Sequence, residues 1–143
     1  MKEVWKAMKV AFVVCFCLLG YLLPATAQQS VVPMVMLLAR PDEALVEYPE
    51  GVSTLGYLHF SSGDSPYLFL TRDHALALDV TSAIFLLDDT KGRLIDNMKC
   101  DNEYVRVVGS ITADAGALSF NHIVSIRRTD ATHGFCFVRG ADQ

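Results

Sequence analysis

Two extended segments carry the side chains best suited to touching a ligand. Tyr57 and His59 stand two apart in VSTLGYLHF, and Tyr104 and Arg106 stand two apart in EYVRVVG. A spacing of two places each pair on one face of a strand. Aromatic rings offer flat apolar surface, and a guanidinium pairs with anions. With Phe120, Arg127 and Arg128 added, the set has the rings and cations that single-strand binding on a small barrel would use. Two observations oppose that use. Phe120 falls on the apolar face of its own segment, and the chain is acidic, with 12 Lys and Arg against 16 Asp and Glu and a formal charge of -4. An acidic small protein repels polyanions, so nucleic acid is not an expected partner. Aromatics in a core and arginines on a solvated face account for much of the same pattern. Tyr57, His59, Tyr104 and Arg106 remain as weak ligand-binding candidates.

Enzymatic chemistry finds less support. The chain contains no G-x-S-x-G, no H-E-x-x-H and no glycine-rich phosphate loop. DDTKG, residues 88–92, faintly suggests a calcium loop, but the alternating oxygen ligands and the closing glutamate are missing. His59, His74, His122 and His133 lie on different predicted elements, and His122 continues the apolar face of its strand, where a satisfied core histidine is expected. His133-x-x-Cys136 with Cys100 supplies too few ligands for a metal centre. Asp73, His74, Asp88 and Asp89 form the densest titratable group and read as helix capping and surface charge. The expectation is a non-enzyme with no catalytic residue, no cofactor and no metal.

The N-terminus points to export. Lys2, Lys6 and Lys9 precede the apolar run VAFVVCFCLLGYLL, residues 10–23, which is shorter than the about 20 residues of a bilayer span. Pro24 then ends any helix, and Ala25-Thr26-Ala27 offers the small residues that a signal peptidase accepts. Residues 1–27 are therefore predicted to be a cleaved signal peptide, leaving no membrane span and a periplasmic or secreted protein. An uncleaved anchor is the competing possibility. A lipoprotein is disfavoured because neither Cys15 nor Cys17 is preceded by the small residues that lipid attachment requires. Cleavage removes three lysines and one glutamate, moving the formal charge from -4 to -6. It also leaves Cys100 and Cys136 as the remaining cysteine pair, predicted to form a disulfide in an oxidising compartment.

The elements that must position these residues follow from periodicity. Residues 28–33 read as a flexible start and 34–143 as one domain. MVMLLARPDEAL suits a short helix interrupted by Pro41. Residues 52–71 read as a hairpin with Gly56 at a bend and a polar loop at 61–66. Thr71 caps a short helix with Asp73 in its first turn. SAIFLLD runs apolar without alternation, like a strand buried on both sides, and 88–98 is helix-compatible. In residues 103–127, Val105, Val107 and Ile111 share one face, as do Leu118, Phe120, Val124 and Ile126, and Asp114 to Gly116 form the turn. HGFCFVRG could add a further strand.

Two hairpins of curved, glycine-broken strands fit a mainly β fold with short helices, a small antiparallel barrel of about five strands. The spaced pair GVSTLGYLHF and EYVRVVGSITA, with LFLTRDHA and SAIFLLD between them, resembles a group of uncharacterised exported bacterial domains similar to the OB fold. In those domains one V-x-V-x-G strand opens the barrel and a second recurs late. The resemblance covers about residues 34–127, and the first strand departs from it by reading Thr54-Leu55-Gly56. It implies an OB-like fold and an exported setting, and brings no catalytic residue. The function expected is an exported, non-enzymatic binding module for a peptide, glycan or small envelope ligand. The alternative is an interaction, inhibitory or structural protein with an envelope protein as partner.

Overall fold

A computed structural model describes residues 30–61, 66–87, 100–130 and 134–140. Helices α1 (Met34–Ala39) and α2 (Pro41–Glu47) precede strands β1 (Val52–Phe60) and β2 (Pro66–Phe69). Helix α3 (Arg72–Leu76) and a 3-10 turn (Val80–Ser82) lead to β3 (Ala83–Leu86), followed by β4 (Glu103–Asp114), β5 (Ala117–Arg128) and β6 (Phe135–Val138). The predicted leader, most of the 61–66 loop, the helix-compatible 88–98 segment with its DDTKG run, and His133 lie outside the described residues.

The strands pair in the order β3-β2-β1-β4-β5-β6, and a parallel contact between β3 and β5 closes the first five into a ring. The fold is thus the mainly β, OB-like five-stranded barrel that the sequence predicts. Strand β6 lies outside the ring, paired with the C-terminal half of β5. Leu58, Leu68, Ile84, Leu86, Val105, Val107, Phe120, Ile123 and Ile126 fill the interior, each almost wholly removed from water. Helices α1 and α2 add Met34, Leu37 and Ala44 to the same core. Arg40 separates them, and Pro41 starts α2 at a position where its missing N–H is not needed. The N-terminal segment is pinned to β1 by Val32 N–H donating to the Ser53 carbonyl at 2.8 Å and by Thr54 Oγ1 donating to the Val32 carbonyl at 2.7 Å.

Curvature comes from close backbone approach. At Gly109 a Cβ would collide with the His122 carbonyl oxygen and stand 3.1 Å from Ile123 Cα; at Gly56 it would meet Leu68 Cγ at 2.7 Å and the Phe69 carbonyl at 2.8 Å. The β4–β5 turn places Ala115 at φ 48° and Gly116 at φ 81°. Two successive positive φ values define the type I′ hairpin turn, whose twist matches that of the flanking strands.

One expectation for β5 is corrected. Simple alternation put Val124 in the core and let His122 continue the apolar face. Instead the pairing skips Asn121 between Phe120 and His122, and skips Val124 between Ile123 and Ser125. Each extra residue is a bulge that reverses the phase of the strand. Ile123 therefore enters the core at 0% exposure, Val124 is 44% exposed, and His122 faces solvent.

Cys100 and Cys136 form the predicted disulfide, with Cα atoms 5.9 Å apart and a sequence separation of 36. Closing a loop of that size is worth roughly 4 kcal/mol in the chain-entropy model. The bridge fastens β6 to the start of β4, so the last strand is held both by pairing and covalently.

Candidate functional site

Register places the candidate residues in three adjacent rows across the outer surface of the barrel. The first row runs Phe85, Tyr67, His59 across β3, β2 and β1. The second runs Ala83, Phe69, Tyr57, Tyr104 and reaches β4. The third runs Leu55, Arg106, Arg127, Phe135 across β1, β4, β5 and β6. All four sequence-predicted residues thus share one continuous surface, yet their environments differ.

In the first row Tyr67 packs against Phe85 with ring centroids 4.8 Å apart and against Phe69 at 5.7 Å, while the His59 ring lies 6.3 Å from Phe69. His59 Nδ1 lies 3.0 Å from Asn102 Oδ1 and 3.6 Å from Asp101 Oδ1. Asn102 Nδ2 donates to Asp101 Oδ2 at 2.9 Å, which turns the amide oxygen toward His59. In neutral His59 this arrangement puts the proton on Nδ1 and makes Nε2 the acceptor. The loop behind it is anchored by Phe60 N–H donating to Asp101 Oδ1 at 3.0 Å and by Asn102 N–H donating to the Leu58 carbonyl at 2.9 Å.

The second row is mostly structural. Thr71 caps α3 by accepting from the His74 N–H, and the helix lies over this row, so that Tyr57, Phe69, Ala75 and Ala83 form a small core outside the barrel. Tyr57 is only 6% exposed and meets Tyr104 edge-on, centroids 5.2 Å apart at 73°. Tyr104 is 46% exposed, and its hydroxyl accepts the Arg72 N–H at 3.3 Å. Tyr57 therefore packs beside Tyr104 across the β1–β4 pair and offers little surface of its own.

The third row carries charge. Arg106 Nε donates to Ser53 Oγ at 2.6 Å, which orients its guanidinium, and the Arg127 guanidinium sits 5.5 Å from the Phe135 ring centroid. Arg106, Arg127 and Arg128 line an open groove of about 340 Å³ together with Val31, Leu55 and Thr129. Thr129 is fixed at its wall, its N–H donating to the Tyr104 carbonyl at 3.0 Å. A second concavity, of about 390 Å³, is apolar and lies between Leu38, Val80, Phe85 and the β4–β5 turn.

Sequence reasoning treated Arg127 and Arg128 as a small solvated cluster and did not single out Tyr67, Phe85, Asn102 or Phe135 for the face. Only cross-strand register joins them, and a single sequence does not print register. Phe120 is wholly buried in the barrel, as its apolar face implies. His74 has its Nδ1 2.7 Å from Thr71 Oγ1 at the helix cap. Among the described residues no group of three or more His, Cys, Asp or Glu is placed to hold a metal ion, and no helix among them is long and apolar enough to cross a membrane.

No family model, curated protein or solved structure matches this chain. The OB-like character therefore rests on strand order and barrel closure. What the outer surface can do chemically is read from its own residues: stack a flat or apolar group on aromatic rings, and pair an anion with clustered guanidinium groups.

Proposed function

We propose that the protein is an exported, non-enzymatic binding module, with residues 1–27 as its signal peptide and 34–143 as a single OB-like domain. Its ligand is a peptide, a glycan or a small envelope molecule, and nucleic acid is not its partner. The observation that carries the proposal is the groove where Arg106, Arg127 and Arg128 meet Val31 and Leu55 on the barrel's outer surface. Exposed apolar side chains beside clustered cations are a pairing that folding alone does not call for. Tyr104 borders this groove through Thr129, whereas the recess beside His59 belongs to the neighbouring aromatic row. Export is supported by the basic start, the short apolar run and the small residues at 25–27. The Cys100–Cys136 disulfide fits the same compartment.

The test is a cross-linked capture from the envelope using the tagged protein and a Leu55→Asp, Tyr104→Ala variant. Both side chains are about half exposed, but Tyr104 also meets the Tyr57 ring and accepts the Arg72 N–H, so a circular dichroism melt first establishes that the variant is folded at the assay temperature. Loss of the captured ligand in the variant is the expected result. Equal capture by both forms would remove this face from the proposal.

A further inference from the structure

Resting on the binding role just proposed, we infer that the arginine groove receives a short acidic polypeptide segment, its carboxylates flanked by apolar side chains. The row Leu55, Arg106, Arg127, Phe135 is apolar at both ends and cationic in the middle. Leu55 is 46% and Phe135 55% exposed, so both ends present apolar surface to a partner. Neighbouring strands lie about 4.8 Å apart, which makes the row about 14 Å long, the reach of four or five residues of extended peptide.

Charge selects the class of occupant. Arginine forks match carboxylates two bonds at a time, and each guanidinium has five N–H donors. Arg106 uses Nε on Ser53, and all three arginines make other contacts within the protein, so an incoming carboxylate must add to those contacts or exchange with them. Three cations in an acidic chain, of formal charge -4 in full and -6 once the leader is removed, create a local well inside a repulsive far field. A long uniform polyanion meets the repulsion along its whole length, whereas a segment with two or three carboxylates meets the well alone. The apolar ends favour a peptide, because leucine-like side chains can cover Leu55 and Phe135 and sugar phosphates cannot.

The test is fluorescence anisotropy with the purified, disulfide-intact protein and a labelled Leu-Glu-Glu-Glu-Leu peptide, whose first, third and fifth side chains share one face when extended. Comparison probes are the same peptide with every Glu replaced by Gln, a sulfated heparin hexasaccharide and a single-stranded oligothymidylate. Saturable binding of the acidic peptide is expected, about tenfold or more weaker for the Gln peptide and for Arg127→Gln and Arg128→Gln, as loss of one member of a close charge pair implies. Phe135→Ala should weaken it as well, and circular dichroism melts establish that each variant is folded. Absence of saturable peptide binding, or unchanged affinity in both folded arginine variants, overturns the inference. Tighter binding of the hexasaccharide or the oligonucleotide overturns it in favour of that polyanion. If the peptide fails while Leu55→Asp, Tyr104→Ala still strips the ligand captured from the envelope, the binding role stands and only the acidic-peptide assignment falls.

Discussion

Replacing Gly109 by alanine should destabilise the barrel by about 2–3 kcal/mol, the range for forcing extra volume into a packed site where backbone must shift. Local propensity points the other way. Gly109 is not among the residues of positive φ, so alanine would fit its backbone conformation and would reduce the freedom of the unfolded chain, a gain of about 0.4–1 kcal/mol. The steric term should win, because the new methyl group meets main chain. It would strike the His122 carbonyl oxygen, 3.1 Å from Ile123 Cα and 3.1 Å from Phe120 Cδ1, between the two bulges of β5. Relief would require β5 to move away from β4 as a unit. Gly116→Ala is the control: φ is 81° there and nothing lies within 4 Å of the added atom, so only conformational strain of about 1 kcal/mol is expected. Urea unfolding of the three proteins, compared at constant m-value, measures both effects. A Gly109→Ala loss no larger than that of Gly116→Ala would refute the claim that main-chain contact between β4 and β5 sets the curvature.

Removing the disulfide with Cys100→Ser and Cys136→Ser together should cost roughly 4 kcal/mol in urea unfolding, and a reductant should reproduce the effect in the unmodified protein. Ala115→Asn should raise stability by about 0.5–1 kcal/mol, since φ is 48° there and asparagine tolerates the left-handed region better than alanine; a thermal melt detects the gain. Tyr57→Ala should cost about 3 kcal/mol by opening the small core under α3, whereas Tyr57→Phe should be nearly neutral, a contrast that chemical denaturation resolves. Asp79 has its carboxyl held below the ordinary 3.8, first by hydrogen bonds from Thr81 and then from Ser82. Its stabilising contribution is thus fully present above pH 3.8 and fades as pH falls through the lowered folded value, so Asp79→Asn should flatten that part of a stability profile followed by circular dichroism.

The parts of the fold visible in the sequence are those where local pattern and final packing agree. Val105 and Val107 alternate in EYVRVVG and both end in the barrel interior. Pro41 divides the first helical stretch into α1 and α2, Thr71 caps α3, and the continuous apolar run at 83–86 lies between the barrel and the helix-covered outer row. Strand β5 broke the pattern because its two bulges arise from crossing β4 at Gly109, a tertiary event. Leu118, Phe120 and Ile126 were placed correctly on either side, but the phase slipped at Asn121 and Val124 between them. The candidate face was half visible for a similar reason. Tyr104 and Arg106 could be assigned to an outward face of β4, but their alignment with Arg127 and Phe135 depends on register across three strands.

Burial also decides which part of the surface is left for recognition. Helix α3 covers the second row where it crosses β1, β2 and β3, leaving Phe69 at 0% and Tyr57 at 6% exposure. Those side chains are committed to holding the β2–β3 connection in place, and a ligand would have to displace the helix to reach them. Leu55, Tyr104 and Phe135 are each more than two-fifths exposed, Tyr104 meeting α3 through the Arg72 N–H that its hydroxyl accepts. The aromatics that most resemble stacking platforms in the sequence thus serve mainly as packing. The arginines that resemble ordinary surface charge line the open groove on the other half of the barrel. Sharing one β1 strand, the two halves are mechanically joined: Tyr57 packs edge-on beside Tyr104, and Leu55, two residues earlier, forms one apolar end of the charged row. A substitution that loosens α3 should therefore disturb binding at the groove through Tyr104 even though it touches none of the arginines.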